Sequence, residues 1–229
     1  MIRTLHNKTL LAMALVLATL GCSSQRPSIK QVADPLPNLA TPIGQLDEGR
    51  LLVAPPVGWR SLGPTRQLIA RFGKDFDTLP RIWIRAESLQ AYKIDGVTNL
   101  DESNVHAFGE QLTAEFKRRG VSLLEPVRAM SVGDRYFVRY VLATKFSRKD
   151  RHGTPTVKRT ERQVLMTVAA GRIYTVDLHV SPNTIPAHRD MGYSVLAGLK
   201  FLSPEPKSAA VKTDSKSLQP PVPNRNKTG

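Results

Sequence analysis

Between residues 127 and 180 the chain carries four runs rich in apolar and β-branched residues, at 127–132, 135–145, 162–169 and 172–180. Gly133-Asp134 separates the first pair and Ala170-Gly171 the last. A two-residue, glycine-containing break between strand-like runs turns the chain back on itself, so its flanks pair as antiparallel neighbours. A longer polar loop is expected between the middle two runs. In the last run Tyr174, Val176, Leu178 and Val180 alternate with Thr175, Asp177 and His179, which predicts one core face and one wetter face.

The remaining elements hang on this sheet. Residues 50–53 read as a short strand stopped by Pro55-Pro56, with Gly58 allowing a turn that folds Trp59 back as a core plug. Residues 67–72 and 81–86 read as half-buried strands, the second placing Ile82, Ile84 and Ala86 opposite Arg81, Trp83 and Arg85. From 104 to 119 the period changes: Val105, Phe108, Leu112 and Phe116 make one helical stripe. Asp101 or Ser103 suits its start, and Gly120 suits a left-handed stop after the cations Lys117, Arg118 and Arg119. A closing helix over 187–200 carries Met191, Val195 and Leu199, with Phe201 beyond. The expected fold class is α+β, an antiparallel sheet flanked by helices.

The ends of the chain have a different character. Arg3 and Lys8 precede an apolar run at 9–20 that closes on Gly21-Cys22. A charged start, a short apolar core and a small residue are the parts of an export signal. The run is shorter than the roughly 20 residues that a membrane-spanning helix needs. Thr19-Leu20-Gly21-Cys22 resembles the bacterial lipobox, with Thr19 where Leu is usual. The resemblance implies cleavage before Cys22 and acylation of that cysteine, and Ser23 after it resembles the outer-membrane type. Cys22 is the only cysteine, so no internal disulfide is possible.

Residues 1–21 are accordingly read as a signal peptide, and 22–45, with Pro27, Pro35, Pro37 and Pro42, as a proline-rich tether. The folded domain is expected over 46–202. Residues 203–229, rich in Pro, Ser and Lys, are too poor in large apolar side chains to bury a core and are expected to be a disordered basic tail.

The order of elements, Pro56-x-Gly58-Trp59, the Gly133 turn before an aromatic strand, Gly171-Arg172-Ile173-Tyr174, and a final helix ending at Phe201 together resemble the PsbP-like superfamily, which takes in PsbP and the DcrB and LpqN lipoproteins. The resemblance covers about residues 51–201. It implies an α/β/α sandwich serving as a non-enzymatic binding or accessory domain, and it carries over no functional residue.

The formal net charge is +14, of which Arg3 and Lys8 supply two. Such an excess favours anionic partners: lipid head groups, cell-wall polymers or an acidic protein face. No nucleic-acid module pattern is present, and no nucleic-acid partner is expected. The densest cationic stretch holds Lys145, Arg148, Lys149, Arg151, Lys158 and Arg159, with His152 and Arg162, against Asp150 and Glu161. Projected from a hairpin, these residues are candidates for anionic-surface binding; a solvated loop that guards a strand edge is the plainer account. Arg81, Trp83 and Arg85 place guanidinium beside indole, a combination that grips phosphate or sugar, although one strand alone gives no convergent site.

His106, His152, His179 and His188 show no metal-ligand spacing, and Asp75 and Asp77 lack the other oxygens of a calcium loop. Gly192-Tyr193-Ser194 departs from a nucleophile elbow at Leu196, which makes Ser194 a helix surface residue. No catalytic residue, metal or cofactor is expected. The leading expectation is an exported, lipid-anchored envelope domain, at the periplasmic face of the outer membrane, that binds a protein or anionic ligand. The alternative is a carrier of a lipid or hydrophobic ligand in a groove between helices and sheet, lined by residues such as Phe108, Tyr140 and Met191.

Overall fold

The computed structural model describes residues 28–75, 79–94, 96–149 and 155–202, and for 146–149 and 155–158 it describes the backbone. The strands are β1 (Lys30–Gln31), β2 (Gln45–Leu46), β3 (Leu51–Leu52), β4 (Arg60–Ser61), β5 (Ala70–Gly73), β6 (Arg81–Ser88), β7 (Glu125–Val132), β8 (Arg135–Lys149), β9 (Pro155–Ala169), β10 (Arg172–Val180) and β11 (Lys200–Phe201). The helices are α1 (Val105–Arg118) and α2 (Ile185–Ala197). Eight strands form the main sheet in the order β1-β7-β8-β9-β10-β6-β5-β4. The β7 to β10 meander at its centre is antiparallel throughout, as its two short turns require. Strand β1 joins the edge in parallel with β7, and β11, β3 and β2 form a second small sheet.

Each helix covers a different face. Phe108, Leu112 and Phe116 of α1 pack on Val138, Tyr140, Val164 and Met166. Tyr193, Val195 and Leu196 of α2 pack with Leu165, Tyr174, Val176 and Leu178. The α+β class and its helix-sheet-helix layering are therefore as expected. Trp59 is buried in the α2-side core, again as expected.

Helix α1 lies where expected, but its N-cap is Asn104 in place of Asp101 or Ser103. Asp101 Oδ1 accepts the backbone N–H groups of Ser103 and Asn104 at 2.8 and 3.1 Å, tying down the turn that leads into the helix. Gly120 follows at φ 67°, and Val121 N–H donates to Phe116 O at 2.9 Å. Helix α2 begins and ends earlier than expected. Pro186 is tolerated in its first turn, where no intrahelical N–H is needed. After Gly198 the backbone extends, so that Lys200 and Phe201 pair with Leu52 and Leu51.

The stretch expected as a tether is described from residue 28, and there it is docked. Lys30 and Gln31 pair with Met130 and Ser131, while Val32, Leu36 and Leu39 lie against the α2-side core. Isolated apolar side chains among prolines suffice to hold an irregular segment when each finds a place on the domain. Cys22, Arg151 and the tail 203–229 lie outside the described residues.

Candidate functional site: a basic ribbon and its buried root

Strands β8 and β9 are each 15 residues long and outrun their neighbours. Strand β7 leaves β8 at the pair Glu125 and Val141, and β10 leaves β9 at Val180 and Glu161. Beyond those points β8 and β9 pair with each other alone among the described residues, from Thr144 opposite Thr160 to Lys149 opposite Pro155. Six residues of two-stranded ribbon on each strand reach about 20 Å at strand rise.

Most of the cations expected on a loop therefore stand on this ribbon. Lys145 lies directly opposite Arg159, and both are exposed. Arg148, Lys149 and Lys158 take their places in the same backbone register. The expected cluster is thus drawn out along two paired strands. The loop reading failed because cations and hydroxyls fill most positions of these strands in place of apolar residues.

The root of the ribbon is fixed by ion pairs on opposite faces. On the α1 side, Asp177 is fully buried and takes both Arg162 and Arg85. Arg162 Nε donates to Oδ1 at 3.1 Å, Arg162 Nη2 donates to Oδ2, and Arg85 Nη2 donates to Oδ2 at 2.8 Å. His179 Nε2 stands 3.2 Å from Oδ1, and Trp83 covers the imidazole with ring centroids 3.8 Å apart. Burial alone raises the Asp177 pKa, but His179 and the Arg162 guanidinium outweigh it and hold the carboxyl at about 2. On the α2 side, Arg139 of β8 forks onto Glu125 of β7 at 2.6 and 3.1 Å, with the guanidinium nearly buried.

Thr175, Asp177 and His179 were expected on a wetter face, and all three are buried. The alternation was read correctly, but the neighbouring strands bring Arg85 and Arg162 over the face and close it. Trp83 and Arg85 do reach a convergent site, because β10 and β9 add Asp177, His179 and Arg162 from beside them. One sequence signal pointed there: an acid in the middle of an otherwise apolar strand needs a cation across the sheet. With both oxygens engaged and its pKa depressed, Asp177 is a counter-ion and a poor general base at neutral pH.

Two other expectations change. Ser194 is buried, its hydroxyl donating to Asp190 O at 3.0 Å. The carrier groove does not assemble, because Phe108 and Tyr140 belong to the α1-side core while Met191 packs on the α2 side. A different groove, of about 400 Å³, runs between α1 and β7, lined by Gly109, Thr113, Ala114, Lys117, Val127 and Ala129 among others. His106 and Glu110 also line it. Among the described residues no helix is long and apolar enough to cross a membrane.

No family model matches the chain, and no curated protein matches it. Several solved structures resemble it. One is a protein from Bacteroides thetaiotaomicron, at 9% identity and a TM-score of 0.41 over 70% of this chain and 49% of that one, so that the chain spans about half of that protein's length. The cyanobacterial PsbP (CyanoP) of Synechocystis sp. PCC 6803 aligns at 12% identity and a TM-score of 0.40, covering 75% of this chain and 98% of its own. LpqN, involved in cell envelope biogenesis of Mycobacterium tuberculosis, aligns at 12% identity and a TM-score of 0.37, covering 77% and 90%.

Proposed function

We propose that the protein is a lipid-anchored domain of the bacterial envelope, held through Cys22, which works as a non-enzymatic binding module and presents its basic ribbon to an anionic ligand or an acidic partner. The observation that carries this reading is the ribbon itself: two strands that leave the sheet, bear Lys145, Arg148, Lys149, Lys158 and Arg159, and are rooted by the Asp177 and Glu125 ion pairs. A rooted arm loses little conformational freedom on binding, so its charges act at small entropic cost. The apolar run before Gly21-Cys22 supports the anchor, and Ser23 favours the outer membrane. The function is positioning, with no bond made or broken.

The triple variant Arg148→Ser, Lys149→Ser and Arg151→Ser tests the ribbon. On a dextran sulfate column the wild type should elute at clearly higher salt than this variant, since each lost cation weakens a screened attraction. Identical elution of the two proteins would remove the ribbon as the binding element.

A further inference from the structure

The corner where α1 turns into β7 carries a second surface of a different kind. Val121 and Leu124 are 38% and 48% exposed, and they follow three consecutive exposed cations, Lys117, Arg118 and Arg119. Glu115 beneath them accepts from Arg118 Nε and Nη2 at 2.7 and 2.6 Å and from Arg119 Nε at 2.5 Å, which fixes both guanidinium groups at the end of the helix. The turn cannot slide away, because Val121 N–H is held by Phe116 O and Leu124 N–H by Val141 O. Apolar side chains ringed by fixed cations are the composition of a surface that rests on an anionic bilayer. The α1–β7 groove, walled by Ala114 and Val127, opens beside Lys117 and extends the apolar area.

The path of the N-terminal chain leads to the same corner. Strand β1 runs parallel to β7, with Lys30 opposite Met130, so the chain before it points back toward Glu125 and the corner. Only residues 23–27 separate Cys22 from the docked segment that starts at Ser28. Six peptide steps span at most about 20 Å. An anchor at Cys22 therefore keeps this end of the domain within reach of the head groups.

We infer that the α1–β7 corner is a membrane-contact surface: Leu124 and Val121 enter the head-group region of an anionic leaflet while Lys117, Arg118 and Arg119 pair with lipid phosphates. The direction of approach rests on the lipoprotein reading; the surface itself does not. Its test accordingly uses unacylated Cys22→Ser protein. In that background Leu124→Cys or Val57→Cys is labelled with an environment-sensitive dye, and each protein is mixed with vesicles of phosphatidylglycerol and phosphatidylcholine. Val57 is 62% exposed and lies just before β4, the far edge of the sheet, so it serves as the control.

On anionic vesicles the dye at residue 124 should shift to the blue and be quenched by brominated acyl chains, with no change at residue 57. Retention should fall at least fivefold in a Val121→Ser, Leu124→Ser variant whose urea midpoint matches the parent, and should fall with added salt. A dye at residue 124 that stays in water on vesicles that retain the protein would overturn the inference, as would absence of retention. Failure of acylation on the wild type would instead count against the anchor and leave this result standing.

Discussion

Replacing Asp177 with Asn keeps the shape of the side chain and strips its charge, leaving the half-buried Arg85 and Arg162 without their buried counter-ion. Breaking a buried pair in this way costs about 3–5 kcal/mol, read as a lower urea midpoint. The same carboxylate sets a pH dependence. Asp177 is lowered from 3.8 to about 2 and Glu115 from 4.5 to about 2. A folded-state pKa below the unfolded one gives stability that is complete above the unfolded value and lost as pH falls through the folded one. Stability should therefore be level above about 4.5 and drop toward about 2, and an Asp177→Asn, Glu115→Gln variant should show a shallower drop. These two acids also mark what could be read in advance at single positions. Glu115 lies three and four residues before its arginines on one helix, a spacing visible in the chain, whereas Asp177 meets Arg85 across 92 positions and needs the strand order first.

Helix α1 and the meander were legible as elements because their signals are local: an apolar stripe at three and four, and two glycine turns. Phe108→Ala, at the centre of that stripe and fully buried, should cost about 3–5 kcal/mol in chemical denaturation. Helix α2 was legible in place but not in its inner contacts. A methyl group at Gly192 would meet Gln163 Nε2 at 3.2 Å, and that nitrogen is held by Arg189 O. Gly192→Ala should thus push α2 from the sheet and destabilise by about 1–3 kcal/mol, lowering the thermal midpoint. The ribbon was hidden for the opposite reason. Its alternation is carried by cations and hydroxyls in place of apolar residues, so it looks like a loop until the register of β8 and β9 is known. The docked segment at 30–46 was hidden by its prolines, since three or four apolar contacts spaced along an irregular chain make no period.

Taken whole, the molecule is polar from end to end. The ribbon, the α1–β7 corner and the outward path of the N-terminal chain share one end, and the Gly133 and Gly171 turns stand at the other. That arrangement suits the proposed fixed orientation on a surface, with the proposed anchor at Cys22 setting it. The most direct measurement is mass spectrometry of the N-terminal peptide of protein isolated from native membranes. The account predicts a chain that starts at Cys22 and carries acyl chains on its sulfur and its amine. A peptide that retains residues 1–21, or one that starts beyond Cys22, would contradict it.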